Sequence, residues 1–156
     1  MPNVFEPEWE NSIEHGSFGV RASRVGANAG ARLLGAGLFE LAPGKRNFPY
    51  HAHHALEELL IVLSGRPTLR TPAGERELAE GDVVAFPAGR EGAHQLTNNT
   101  DVPVRYLMFS TKPSADFVEY PDSGKIAAQA GEWGSPERVS YLLSTEHQVG
   151  YFDGEE

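Results

Sequence analysis

Three histidines and one glutamate near the middle of the chain have types and spacing that suit a metal ion: His51, His53, Glu58 and His94. In an extended strand side chains alternate between faces, so His51 and His53 project from the same face and one ion can meet both imidazoles. Glu58 stands five residues past His53, an odd offset that puts it on the wrong face of an uninterrupted strand. A bend at His54, Ala55 and Leu56 corrects the parity and lets Glu58 open the next strand, with Leu60 and Val62 behind it on the inward face. His94 follows Gly81-Asp82-Val83-Val84-Ala85-Phe86-Pro87-Ala88-Gly89, where Pro87 and Gly89 enforce a tight turn between two strands. His94, Leu96 and Asn98 then share the inward face. Three neutral imidazoles and a carboxylate suit one divalent ion of iron, manganese, zinc, nickel or cobalt and do not select among them. The chain has no cysteine, which excludes thiolate ligands, cysteine nucleophiles and disulfides.

The elements that must position this set are short strands. From Ala31 onward, apolar or alternating runs are broken every eight to twelve residues by turn residues, the pattern of an all-β sandwich or barrel. The runs are Leu33–Leu41, Glu58–Leu63, Thr68–Thr71, Glu75–Leu78, Val83–Phe86 and Val102–Ser110, with a weaker one at Arg138–Leu143. Residues 1–30 read as an irregular arm laid over the domain, 31–112 as the barrel core and 113–156 as an extension packing on the same domain. Within Glu58–Leu63, both the Glu58, Leu60, Val62 face and the Leu59, Ile61, Leu63 face are apolar, so the outer one needs cover. A homodimer is the preferred partner for it, with the arm or the C-terminal segment as alternatives.

Composition narrows the function classes. The 156 residues suffice for one domain with one core. The 17 glycines and 11 prolines fit a turn-rich globular protein. A net charge of -9 with no Lys/Arg cluster disfavours nucleic acid and anionic membrane surfaces as partners. No basic start followed by an apolar run opens the chain, and no stretch approaches the roughly 20 apolar residues of a bilayer span, so a cytoplasmic protein is expected. Neither a phosphate-binding glycine loop nor a nucleophile motif around Ser64 or Ser110 is present.

With these residues in place, the sequence resembles the cupin superfamily, whose fold is a jelly-roll β-barrel, also described as a double-stranded β-helix. The family's first motif, glycine, His-x-His, glutamate, glycine, is filled by Gly44, His51, His53, Glu58 and Gly65, with six residues after Gly44 where five are usual. The second, Gly, five residues, Pro-x-Gly, then His and Asn, is filled by Gly81, Pro87, Gly89, His94 and Asn98, with four residues between Gly89 and His94 where two are usual. The resemblance covers Ala31 to Ser110. It implies a barrel carrying one divalent metal on His51, His53, Glu58 and His94, and a repertoire of dioxygenases, isomerases, decarboxylases and lyases. A wider likeness through Tyr120-Pro121-Asp122-Ser123-Gly124-Lys125 points to small bacterial cupins and brings no activity.

Plainer roles are assigned elsewhere. His54 and Glu57 point outward or into the bend; His15 and His147 read as solvated; Asn98 reads as a loop brace. Asn47 and Pro49 share the parity of His51 and so are candidates to line the pocket. Trp9 and Trp133 read as packing residues of the arm and the extension. The expected function is a metal-dependent enzyme acting on a small, oxygen-rich, chelating molecule, a dioxygenase or isomerase, with no catalytic residue singled out. The competing expectation is a non-catalytic module that holds a small sugar-like ligand.

Overall fold

The structure, a computed structural model, describes residues 1–131 and 135–155; Trp133 lies outside them. The fold is all-β, as expected. Strands β1 (Asn11–His15), β2 (Phe18–Ser23), β3 (Leu34–Leu41), β4 (Ala52–His53), β5 (Glu58–Ser64), β6 (Thr68–Thr71), β7 (Gly74–Glu77), β8 (Val83–Phe86), β9 (Gln95–Thr97), β10 (Val104–Thr111), β11 (Ala115–Tyr120), β12 (Lys125–Ala130) and β13 (Val139–Ser144) follow in order. One four-residue helix, Val25–Asn28, joins β2 to β3. No helix among the described residues is long and apolar enough to cross a membrane.

A six-stranded sheet in the order β1-β2-β3-β10-β5-β8 forms one wall. The remaining strands form a four-stranded sheet, β13-β12-β11-β4, and a three-stranded one, β7-β6-β9. The inward faces close on a core of Leu41, Leu60, Val62, Leu69, Leu78, Phe86, Leu96, Val104 and Tyr106. Leu60 and Val62 are buried in β5, as their parity requires, while on the other face Leu59 keeps 38% of its surface exposed.

Two segments without a clear strand pattern nevertheless pair. Residues 11–23 form the β1–β2 hairpin, which joins the large sheet through Val20↔Leu41, rather than an irregular arm. Beyond β10, where the pattern loosens, β11 and β12 pair along their full length, and β11 takes β4 as its other neighbour through His53↔Val118. Neither hairpin alternates strongly in hydrophobicity, because backbone ladders formed with distant strands hold both in place.

Candidate metal centre

Each of the four predicted residues reaches the barrel interior by its own local device. His51 and His94 sit directly opposite in an antiparallel bridge, with His94 N–H donating to His51 C=O at 2.9 Å and His51 N–H to His94 C=O at 3.3 Å. Opposed residues present side chains on one face, and these two rings lie 4.7 Å apart. The loop that delivers His94 depends on glycine twice. Gly89 has φ 98°, and any Cβ at Gly92 would stand 1.9 Å from the Pro87 carbonyl oxygen. The two extra residues before His94 are thus absorbed in a single tight turn, Arg90–Gly92.

The bend between His53 and Glu58 is present and has a visible anchor. Asp116, from β11, accepts the Ala55 N–H on Oδ1 at 3.0 Å and faces His53 Nδ1 with Oδ2 at 2.5 Å. Thr111 Oγ1 accepts the Glu57 N–H at 3.1 Å. One aspartate therefore both orients an imidazole and fixes the turn that returns Glu58 to the inward face.

The four side chains converge. Donor atoms of His51, His53 and Glu58 all lie within 4.8 Å of one another, a group able to hold a metal ion. Glu58 Oε2 is 3.4 Å from His94 Nε2 and 3.8 Å from His53 Nε2. Every Nδ1 is occupied: His51 by the Pro49 carbonyl at 2.8 Å, His94 by the Gly92 carbonyl at 2.9 Å and His53 by Asp116. Each imidazole thus donates from Nδ1 and offers the Nε2 lone pair to the common space, the arrangement that orients histidine metal ligands.

Electrostatics agree with an electropositive occupant. Burial, reinforced by the neighbouring imidazoles, holds His51 down at about 4 and His94 at about 3, so both are neutral donors near pH 7. Burial pushes the Glu58 carboxyl up, against the opposing pull of His53. Its Oε2 is buried and has no hydrogen-bond partner among the described residues. A buried acceptor of this kind is costly unless something meets it. Three lone pairs and one orphaned carboxylate oxygen fit a divalent cation.

The surroundings finish the site. Phe86 lies parallel to the His94 ring at 3.8 Å and seals one face of it. Tyr120 stacks beside His51 at 6.1 Å. Asp116, Phe86 and Tyr120 carried no signal that marked them as site residues; only the β4–β11 pairing brings Asp116 and Tyr120 here.

The other histidines stay apart. His54 faces the opposite side of the sheet, with Nε2 3.2 Å from Glu119 Oε2, and His15 and His147 are exposed. Asn98 is buried and donates to the Leu41 and Val102 carbonyls at 3.1 and 2.8 Å, bracing its loop. Asn47 is likewise a brace, donating to the Tyr106 hydroxyl at 3.2 Å and accepting from the Leu96 N–H at 3.0 Å.

Comparison with known proteins agrees with this architecture. Residues 37–110 match the family model described as Cupin domain, which supports assignment to the cupin superfamily. Among solved structures it is similar to a provisionally named sugar phosphate isomerase from Acidithiobacillus ferrooxidans, 28% identical, with a TM-score of 0.73 over 85% of this chain and 81% of that one. A second similar structure, named as a cupin-superfamily sugar phosphate isomerase from Silicibacter pomeroyi, is 23% identical, with a TM-score of 0.81 over 98% of both chains. A third, a Cupin 2 conserved barrel domain protein from Salinispora arenicola, is 27% identical, with a TM-score of 0.50 over 60% of this chain and 76% of the other. No curated protein matches the chain.

Proposed function

We propose that His51, His53, Glu58 and His94 hold one divalent metal ion and that the protein is a metal-dependent isomerase of a small sugar-like molecule, with a phosphorylated sugar as the favoured substrate class. The observation that carries the metal is the buried Glu58 Oε2, without a hydrogen bond among the described residues, facing the Nε2 atoms of His53 and His94. The substrate class draws on the likeness to the Acidithiobacillus protein, at 28% identity and over 85% of this chain. A bound divalent ion polarises a carbonyl or hydroxyl oxygen and so acidifies the neighbouring proton, which is the requirement of aldose–ketose interconversion. The chain's own contribution is to fix the imidazoles through Pro49, Gly92 and Asp116, to exclude water from His94 with Phe86, and to flank His51 with the Tyr120 ring.

The same reading takes the protein as cytoplasmic and as a homodimer. The dimer is supported by the outward apolar residues Leu59 and Ile61 of β5, opposed by Phe109 and Leu107 of β10. Sedimentation that shows only monomer at micromolar concentration would remove it.

The test of the activity is conversion of aldose phosphates to ketose phosphates with solvent-deuterium incorporation, measured with and without oxygen. The expected result is turnover that is lost on chelation, restored by divalent metal and indifferent to oxygen. Turnover that requires oxygen would assign a dioxygenase instead. Ligand-dependent stabilisation without any product would assign a binding module.

A further inference from the structure

The face of the four-stranded sheet that carries the metal site continues past it. His53 is opposed to Val118 in the β4–β11 pairing, so Asp116, Val118 and Tyr120 share its face. Tyr120 in turn is opposed to Lys125 across β11–β12, which brings the lysine to the same face. The steps are short: the Tyr120 ring lies 6.1 Å from the His51 ring, and Lys125 Nζ lies 5.9 Å from the Tyr120 ring centre. Lys125 and Tyr120 also line a cleft of about 520 Å³, together with Tyr50 and Ala93, the chain neighbours of His51 and His94.

Charge in this cleft is distributed unevenly. Arg70 at its edge is held by Asp122 through two hydrogen bonds of 2.6 and 2.8 Å, and Arg90 by Glu119 through two of 2.8 and 2.9 Å. Both carboxylates are thereby neutralised by arginines. Lys125 enters no ion pair among the described residues and is half-buried over an aromatic ring. An ammonium left without a counterion at the wall of a cleft, on a chain of net charge -9, is a place for an anion to bind.

We infer that Lys125 receives the anionic end, a phosphate, of a substrate whose oxygens are chelated at His51, His53, Glu58 and His94, with Tyr120 spanning the space between. The inference rests on the proposed metal-dependent sugar reading and extends it: the metal selects for vicinal oxygens, and Lys125 selects for the phosphate. Lys125→Met removes the charge while keeping the apolar stem over Tyr120, and Lys125→Arg retains the charge.

The test compares ribose, ribose 5-phosphate and inorganic phosphate as probes in calorimetric titrations of the metal-loaded wild type, Lys125→Met and Lys125→Arg, with metal content and melting temperature as controls. The wild type is expected to prefer ribose 5-phosphate over ribose by about tenfold or more, Lys125→Met to lose that preference with its metal content unchanged, and Lys125→Arg to keep most of it. A preference that survives intact in Lys125→Met overturns the role of Lys125 and leaves the metal-dependent reading standing. A wild type that binds both sugars equally overturns it in the same way. If neither sugar binds, the sugar reading fails, and inorganic phosphate decides the inference alone: binding lost in Lys125→Met supports it, and binding retained there or absent from the wild type overturns it.

Discussion

Glu40 and Glu58 are carboxylates withdrawn from water on opposite faces of the same six-stranded sheet, with 9% and 15% of their side-chain surface exposed. Glu40, on the outer face, meets two guanidiniums: Arg21, and Arg105 at 2.7 Å. Burial alone would push its carboxyl up, but the two arginines outweigh burial and hold it below the ordinary range. Glu58, on the inner face, meets imidazoles instead of guanidiniums, and burial leaves its carboxyl above the ordinary range with one oxygen unpartnered among the described residues. A carboxylate that serves the fold is supplied with its counterions by the fold. One that is withdrawn from water without them is able to take a cation from outside, the role proposed for Glu58.

The contrast can be broken most forcefully at Glu58. Glu58→Ala is expected to lower metal affinity by about two orders of magnitude or more and to abolish turnover, while metal-free protein melts no lower than wild type because a costly buried charge has gone. Isothermal titration with metal and thermal melts of the metal-free forms read both effects. At Asp116, replacement by Asn keeps the shape but weakens the acceptor for His53 Nδ1, and metal affinity is expected to fall about tenfold with the barrel intact.

Glu40→Ala should reverse the pattern. It should cost about 1–2 kcal/mol of stability in denaturant unfolding and leave metal content unchanged, because Arg21 and Arg105 lose their partner at a distance from the site.

Acid sharpens the same distinction. The folded pKa values of His51 and His94 are depressed to about 4 and about 3, so between their ordinary 6.5 and those values the unfolded chain binds protons that the folded chain refuses. Metal-free protein should therefore lose stability as pH falls from about 6.5 toward 4, because the two histidines outweigh the opposite contribution of the raised Glu58 carboxyl, with a net melting-temperature drop of about 5 °C or more; a flat profile in Glu58→Gln, where that contribution is gone, would contradict the neutral, buried His51 and His94. The smallest effect is expected at His54, on the far side of the sheet, where His54→Ala should leave metal content unchanged in elemental analysis.

Much of this molecule is legible in the order of its residues. Thr68–Thr71 and Val83–Phe86 are strands with the expected bounds, because Gly, Pro and Asp punctuate them and β-branched or apolar residues fill them. His51, His53 and Glu58 are legible because parity plus one bend dictates where they point. The bend's anchor is not, since Asp116 lies 63 residues from His53 and is brought to it by a strand pairing without a local signature. The β1–β2 hairpin is hidden for a related reason: all five residues of β1 are exposed, so no buried alternation marks them. Sequence periodicity records what is buried, and ladders at the margin of a sheet bury little.

The central claim is that Glu58 and the three imidazoles hold a cation, and metal stoichiometry measures it most directly. Elemental analysis of wild type and Glu58→Gln, each equilibrated with a divalent metal and freed of excess, is expected to find about one ion per chain in the first and almost none in the second. Equal content in the two proteins, or none in the wild type, would contradict the account.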